Sequence, residues 1–379
     1  MSVRKKLREE LEAPPELRRF GSGWLAGTLA LAFSLGALGG VLILRQPALL
    51  GMPELAMLRD GAALKPILIL VMLAAFFLGC LSLALRPNMV LGGLAIVITL
   101  VASLWAAAPQ VGDITGGRHI FFGLDFFIIN VIFGGVLFIP LERLFSQVKG
   151  QPVFRTEWRE DLFYYFVSSM LVQILTFTTL APSTALVATG WFDQMRQWID
   201  NLPFLVQVLA IMVITDFIQY WVHRAFHRVP FLWGFHAVHH SAKAMDWIAG
   251  ARMHFLEIIV LRAATATPAF VLGFSPMALQ TYLLIVYVYS TFVHANLSWK
   301  LPFVEKLLVT PRFHHWHHGI EKEAIDVNFA IHFPLYDKLF GTYHMPEDRW
   351  PKGYGIGGHP VPNGYWKQFL YPFRRSRGA

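Results

Sequence analysis

Eight apolar stretches of about twenty residues divide this chain, at roughly 24–44, 67–85, 89–107, 120–140, 162–182, 203–222, 255–274 and 277–295. A helix of that length reaches about 30 Å, the thickness of a bilayer's hydrocarbon core. Inside lipid every main-chain N–H and C=O must find a partner within the protein, so such stretches fold as helices. Apolar residues make up 55% of the 379 and charged residues only 15%, which excludes a soluble enzyme with a large core. The fold class expected is all-α, a polytopic integral membrane protein. Cys80, the single cysteine, lies inside an apolar run, so disulfides, thiolate metal sites and Fe–S clusters are excluded.

Charge sets the orientation. With residues 1–23 inside, the segments 1–23, 86–88 and 141–160 carry 6, 1 and 4 Lys/Arg, against 3, 1 and 1 in 45–66, 108–119 and 183–202. The excess marks the cytoplasmic side, and a net charge of +8 then faces anionic lipid rather than nucleic acid. The polar start of the chain reads as a cytoplasmic tail, not a signal peptide. Six crossings return the chain to the cytoplasm near Trp221, and the pair 255–295 goes out and back. Segments 223–253 and 296–379 therefore share the cytoplasmic face. The expected divisions are a tail over 1–23, an N-terminal transmembrane region over 24–160, a catalytic domain over 161–345 and a cytoplasmic C-terminal tail over 346–379. The setting expected is a bacterial inner membrane, with the active site on the cytoplasmic side.

Those two segments hold most of the histidines: twelve of the fifteen lie between 223 and 332. His223 and His227 stand four apart in WVHRAFHR. His236, His239 and His240 follow at i, i+3 and i+4 in FHAVHH. In TPRFHHWHHG, Thr310 and Pro311 open a helix on which His314, His317 and His318 share one face, while His315 points about 100° away. His294, in FVHANLSW, is a ninth candidate and His254, in ARMHFLE, a tenth. So many imidazoles exceed what one zinc takes and suit two metals sharing a pocket. Nitrogen ligands without cysteine favour iron, with zinc chemically possible. Asp216, two turns before His223 within the membrane run, is expected to accept a ligand histidine's second N–H. Tyr220, Arg252, Glu257, Asn296, Asp326 and Asn328 are further supporting candidates, Tyr220 and Asn296 standing with Asp216 as catalytic. His119 and Asp125 are isolated polar residues among the first four spans.

DFxxYWVHRAFH, WGFHAVHHS, ARMHFLE, FVHANLSW, TPRFHHWHH, DVNFA and LYDKLFGTY, in that order over residues 210–345, resemble the fatty acid hydroxylase superfamily of sterol desaturases, sphingolipid hydroxylases and alkylglycerol monooxygenase. The resemblance implies a cytoplasmic-face di-iron site that uses O2 as co-substrate on lipid C–H bonds. It carries ligand roles to His223, His227, His236, His239, His240, His314, His317 and His318, with His294 as the additional family histidine. The residue after His254 is Phe255 where relatives often have proline. A hydroxylase would insert oxygen; a desaturase would remove a second hydrogen.

No flavin, nicotinamide or haem fingerprint is present, so electrons must come from a separate ferredoxin- or cytochrome-type protein with its reductase. Arg224, Arg228, Lys243 and Arg312 would meet such a donor or phospholipid headgroups. Phe217, Trp221, Trp247 and Phe292 are candidates to line a lipid entrance. Two other readings compete. A metal transporter or sensor would place its ligands near the bilayer midplane, and a zinc-dependent lipid hydrolase would leave half of the histidines unused.

Overall fold

The computed structural model describes residues 2–19, 21–45, 64–107, 124–171, 183–347, 349–358 and 361–375. Their regular structure is helical, with no extended strand among the described residues. The chain divides into two compact units, Met1–Arg155 and Thr156–Ala379. Among the described residues, five helices are long and apolar enough to cross a membrane, and the chain is a membrane protein. The expected runs at 120–140 and 162–182 lie partly outside the described residues, as do His119, His359 and the side chain of Asp125.

In the first unit, α1 (Val3–Leu11) precedes the apolar helices α2 (Trp24–Arg45), α3 (Leu64–Leu85), α4 (Val90–Ala107) and α5 (Leu124–Leu144). Small residues let α2, α3 and α4 approach closely: a Cβ on Gly27 would stand 2.6 Å from Ser82 Oγ, and one on Gly92 2.9 Å from it. Residues 2–19, expected to trail as a polar tail, instead pack against this bundle. The Glu10 carboxylate accepts the main-chain N–H groups of Val90 and Leu91 at 2.8 and 2.9 Å. It thereby places negative charge at the start of α4, where free N–H groups point outward.

The second unit contains α6 (Trp158–Met170), α7 (Asp193–Asp200), α8 (Phe204–Arg228) and α9 (Pro230–His240), then α10 (Phe255–Leu272) and α11 (Pro276–His294). Short helices α12 (Val304–Leu307), α13 (Pro311–His317) and α14 (Leu335–Leu339) follow, and α15 (Tyr365–Arg375) ends it. At 25 residues α8 is long enough to carry its last two turns, with His223 and His227, past the hydrocarbon. The turn from α10 to α11 uses Gly273 in the left-handed region (φ 81°), then Ser275 as the cap of α11, its Oγ accepting from Ala278 N at 3.3 Å. This hairpin packs on α8 through Ile211, Met212, Phe274 and Tyr282. His294 therefore ends α11 beside the end of α8. Thr310 precedes α13, but its hydroxyl makes no cap bond; Pro311 at the first turn starts the helix. Residues after 345 do not trail away: Tyr164, Ala237, Val238, Val361 and Tyr365 pack together, and α15 lies against α9.

Candidate metal centre

Nine imidazoles converge in two adjacent groups. His223, His227, His236, His240 and His317 form one, and His239, His294, His314 and His318 the other; within each, one nitrogen per ring lies within 4.8 Å of all the rest. All nine are buried except His227, which is partly so. Helical spacing builds the site locally, as α8, α9 and α13 each present histidines on an inward face. The close approach of Gly250 completes it, since a Cβ there would stand 2.7 Å from His294 Nδ1.

Hydrogen bonds fix the tautomers. A carbonyl oxygen only accepts, so a ring nitrogen facing one must carry the proton. His223 Nδ1 donates to Phe329 O (2.8 Å), His317 Nδ1 to Val327 O (2.8 Å), His239 Nδ1 to Arg252 O (3.0 Å) and His294 Nδ1 to Ser290 O (2.7 Å). His236 Nδ1 meets the Glu257 carboxylate at 2.5 Å and His227 Nδ1 meets Asp326 at 3.4 Å. In each neutral ring Nε2 is then a bare lone pair.

These lone pairs point at one another. His223 and His236 bring their Nε2 atoms to 3.0 Å, and His239 and His294 to 3.3 Å. His314, whose Nδ1 has no partner to set its tautomer, brings Nε2 to 3.0 Å from His294 Nε2 and 3.2 Å from His318 Nε2. Two lone pairs so close repel unless a cation lies between them. Ligand nitrogens roughly 2.1 Å from a common ion at neighbouring positions stand about 3.0–3.4 Å apart, the spacing seen here. Nε2 of His227 and of His317 is buried without a hydrogen-bond partner among the described residues, a state that is costly for the bare protein. The donor set thus fits two borderline metal ions of the iron or zinc type.

Outside the spans, His236, His239, His240, His314, His317 and His318 are held well below the ordinary imidazole value, by burial first and then by neighbouring rings. Burial pushes His315 down to about 3. Below pH about 6.5 the unfolded chain takes up protons that these folded rings refuse, so acid favours unfolding, by about 1.4 kcal/mol per ring per pH unit. The thermal midpoint of chelator-treated protein is expected to fall from about pH 6.5 to 5, where these rings outnumber buried carboxyls such as Asp337, whose upward shift on burial acts in the opposite sense. A midpoint that rises on acidification would contradict the burial of neutral rings.

The other expected residues are placed as follows. His254, expected among the ligands, stands apart: it precedes α10, its Nδ1 accepts Leu256 N (3.1 Å) and its Nε2 faces Phe369 O (3.0 Å). Both ring nitrogens are occupied, so it has none to offer an ion. His315 also lies outside the groups, with Nδ1 2.8 Å from Tyr354 Oη. Asp216 does not reach an imidazole; its carboxylate accepts the main-chain N–H groups of Ile331, His332 and Phe333 at 2.8, 3.1 and 2.7 Å. Tyr220 lies under the site, its hydroxyl 2.8 Å from Thr342 Oγ1, and Asn296 is buried.

Arg252 contributes its carbonyl to His239, while its guanidinium pairs with Asp161 (2.5 Å) and Glu157 (3.1 Å). Asn328 holds the loop, its Nδ2 donating to Phe313 O and His344 O. Of the basic candidates, Arg228 pairs with Asp326, Lys243 with Glu157 and Arg312 with Glu305, while Arg224 donates to Tyr220 Oη. Phe217 and Trp221 are exposed on α8, and both rings pack on Phe340. Asp337, within LYDKLFGTY, is a supporting residue that local spacing does not single out; its carboxylate accepts Phe329 N and Ala330 N, both at 2.8 Å. The available signal is an acid flanked by Leu335, Tyr336, Leu339 and Phe340.

Residues 208–342 match the family model described as fatty acid hydroxylase. Ornithine lipid hydroxylase OlsE of Rhizobium tropici is 31% identical over 180 residues, covering 47% of this chain and 54% of that protein. Alkylglycerol monooxygenase of Homo sapiens is 30% identical over 147 residues, covering 39% of this chain and 32% of that protein. A putative methylsterol monooxygenase of Dictyostelium discoideum is 25% identical over 241 residues, covering 59% of this chain and 86% of that protein. The chain spans about half or less of the length of the first two relatives. No solved structure matches the chain. The matched segment holds all nine converging histidines, so the match to the fatty acid hydroxylase model and the geometry of the site fall on the same residues.

Proposed function

We propose that this protein is an O2-dependent lipid hydroxylase whose two histidine groups hold a pair of iron ions. The observation carrying the reading is the convergence of nine imidazoles in two adjacent sets, in which the bare Nε2 atoms of His223 and His236, and of His239 and His294, are brought face to face. Bound iron supplies O2 chemistry that no side chain of this composition can perform. The chain's own residues hold the rings in one tautomer, exclude water from a buried pocket and bring the lipid to it. Exclusion of water protects an oxidising centre from being discharged without product. The three relatives named above act on an ornithine lipid, an alkylglycerol and a methylsterol by their names, which supports a lipid C–H as the target. Insertion of one oxygen atom converts C–H to C–OH, and the second leaves as water with two electrons and two protons. The electrons come from a separate electron-transfer protein of ferredoxin or cytochrome type. In this reading the site lies at the cytoplasmic face, and the lipid enters past the exposed aromatic rings Phe217 and Trp221 on α8.

Elemental analysis of the purified chain, together with O2 uptake in the presence of a reductant and membrane lipid, tests this. About two irons per chain and lipid-dependent O2 uptake are expected for a paired site. One zinc per chain without O2 uptake would overturn it in favour of hydrolysis. Comparing lipids of a deletion strain and wild type by mass spectrometry identifies the substrate through the hydroxylated species that disappears.

A further inference from the structure

The two histidine groups differ in what stands behind their rings. In the five-histidine group two carboxylates face outer nitrogens and a third stands behind a peptide that does. Glu257 meets His236 directly at 2.5 Å, and Asp326 meets His227 at 3.4 Å. Asp337 acts through one peptide: the carbonyl of Phe329 accepts from His223 Nδ1 (2.8 Å), and the N–H of the same peptide, on Ala330, donates to Asp337 Oδ2 (2.8 Å). A negative charge on Asp337 polarises that peptide and makes its oxygen a stronger acceptor.

Direction is imposed on the bonds around Asp337. Thr342 Oγ1 donates to Asp337 (2.6 Å), so the Tyr220 hydroxyl must donate to Thr342 (2.8 Å) while accepting from Arg224 (3.1 Å). Every donor in this relay points toward the carboxylate, which holds its charge in place. The backbone is shaped to match. Asp326 and Asn328 both adopt left-handed conformations, φ 61° and 58°, and so turn the Asp326 side chain and the Val327 and Phe329 carbonyls onto three rings of one group. Asp and Asn tolerate that region better than other side chains.

Among the described residues no carboxylate meets an outer nitrogen of the four-histidine group, although the charge of Asp161 reaches His294. His239 and His294 donate to main-chain carbonyls, of Arg252 and Ser290. His314 Nδ1 and His318 Nδ1 are buried without a partner. The guanidinium of Arg252, whose carbonyl serves His239, adds a cation whose charge Asp161 and Glu157 absorb.

We propose that the two positions are inequivalent, with the five-histidine position binding its metal the more tightly and Glu257, Asp326 and Asp337 acting as the positioning residues that make it so. The inference rests on the metal-binding reading above. A carboxylate behind an imidazole fixes its orientation and raises its basicity, and such partners typically change metal affinity by 10–100-fold. Each also offsets part of a doubly charged ion's burial.

The test uses the full chain in detergent, loaded with cobalt(II) alone under nitrogen, then exposed to increasing chelator. Bound cobalt per chain is counted by elemental analysis and followed by its visible absorption. Two release steps are expected from the unaltered protein. In Glu257→Gln and Asp326→Asn the more resistant step should weaken about 10–100-fold while the labile step stays in place; Asp337→Asn should shift the same step by less. A merely structural role would move both steps together. One step releasing both ions, or a variant weakening the labile step as much as the resistant one, overturns the inequivalence and leaves metal binding intact. A chain that takes up no cobalt overturns the metal reading itself.

Discussion

His317→Ala is expected to abolish the proposed lipid oxidation while leaving the protein in the membrane. His317 Nδ1 is tied to Val327 O, and its Nε2 is buried without a partner. Its ring sits 4.5 Å from that of His223, 4.6 Å from His240 and 4.8 Å from His227. Removing it opens the middle of the five-ring group, which no neighbour can fill. The folded state loses little by comparison: one buried carbonyl is left without its donor, at about 1–3 kcal/mol. His317 lies outside the candidate spans, so insertion should be untouched. Activity in isolated membranes, set against the amount of chain in the membrane fraction, checks this. Activity above about a hundredth of the unaltered enzyme would exclude His317 as a ligand.

Asp216→Ala is expected to fail at an earlier stage, by losing the folded catalytic unit. Asp216 and Asp337 together accept five consecutive main-chain N–H groups, Phe329 to Phe333. Alanine at 216 leaves three buried donors unpaired, roughly 3–9 kcal/mol at 1–3 kcal/mol each. That is comparable to the whole stability of an ordinary domain. Asp216→Asn should fall between: its single carbonyl oxygen can serve Ile331 and His332, but its NH2 then faces the Phe333 N–H. Size-exclusion profiles and thermal midpoints in detergent should rank aspartate above asparagine above alanine. Equal midpoints for all three would show that the segment 329–333 is held by something else.

Local periodicity explains what was legible in sequence. Apolar run length gave the five helices that the structure shows as candidate spans, and the i, i+3, i+4 spacing of histidines gave the inward faces of α9 and α13. The same helical arithmetic pointed His315 away from His314, and the structure places it on Tyr354. Long-range pairings were not legible. Asp216 shares a helical face with His223, yet its carboxylate serves a loop more than a hundred residues on, which no local spacing encodes. His254 looked like another ligand because it stands among them. Its position just before FLEII, with Glu257 three residues later, is equally that of a helix cap, and the cap won while Glu257 turned to His236. The polar residues 2–19 read as a tail because the N–H groups that Glu10 binds belong to a helix some eighty residues away.

The histidines come early and their supports come late. His223, His227 and His317 owe their ring orientation to Asp326, Val327 and Phe329, and that loop is held by Asp337 and Thr342. During biosynthesis the first imidazoles leave the ribosome more than a hundred residues before the loop that aligns them. The pocket therefore cannot take its final shape on the nascent chain at that stage. In the metal-binding reading proposed above, capture in this geometry has to follow the α10–α11 hairpin and the loop that locks behind the rings.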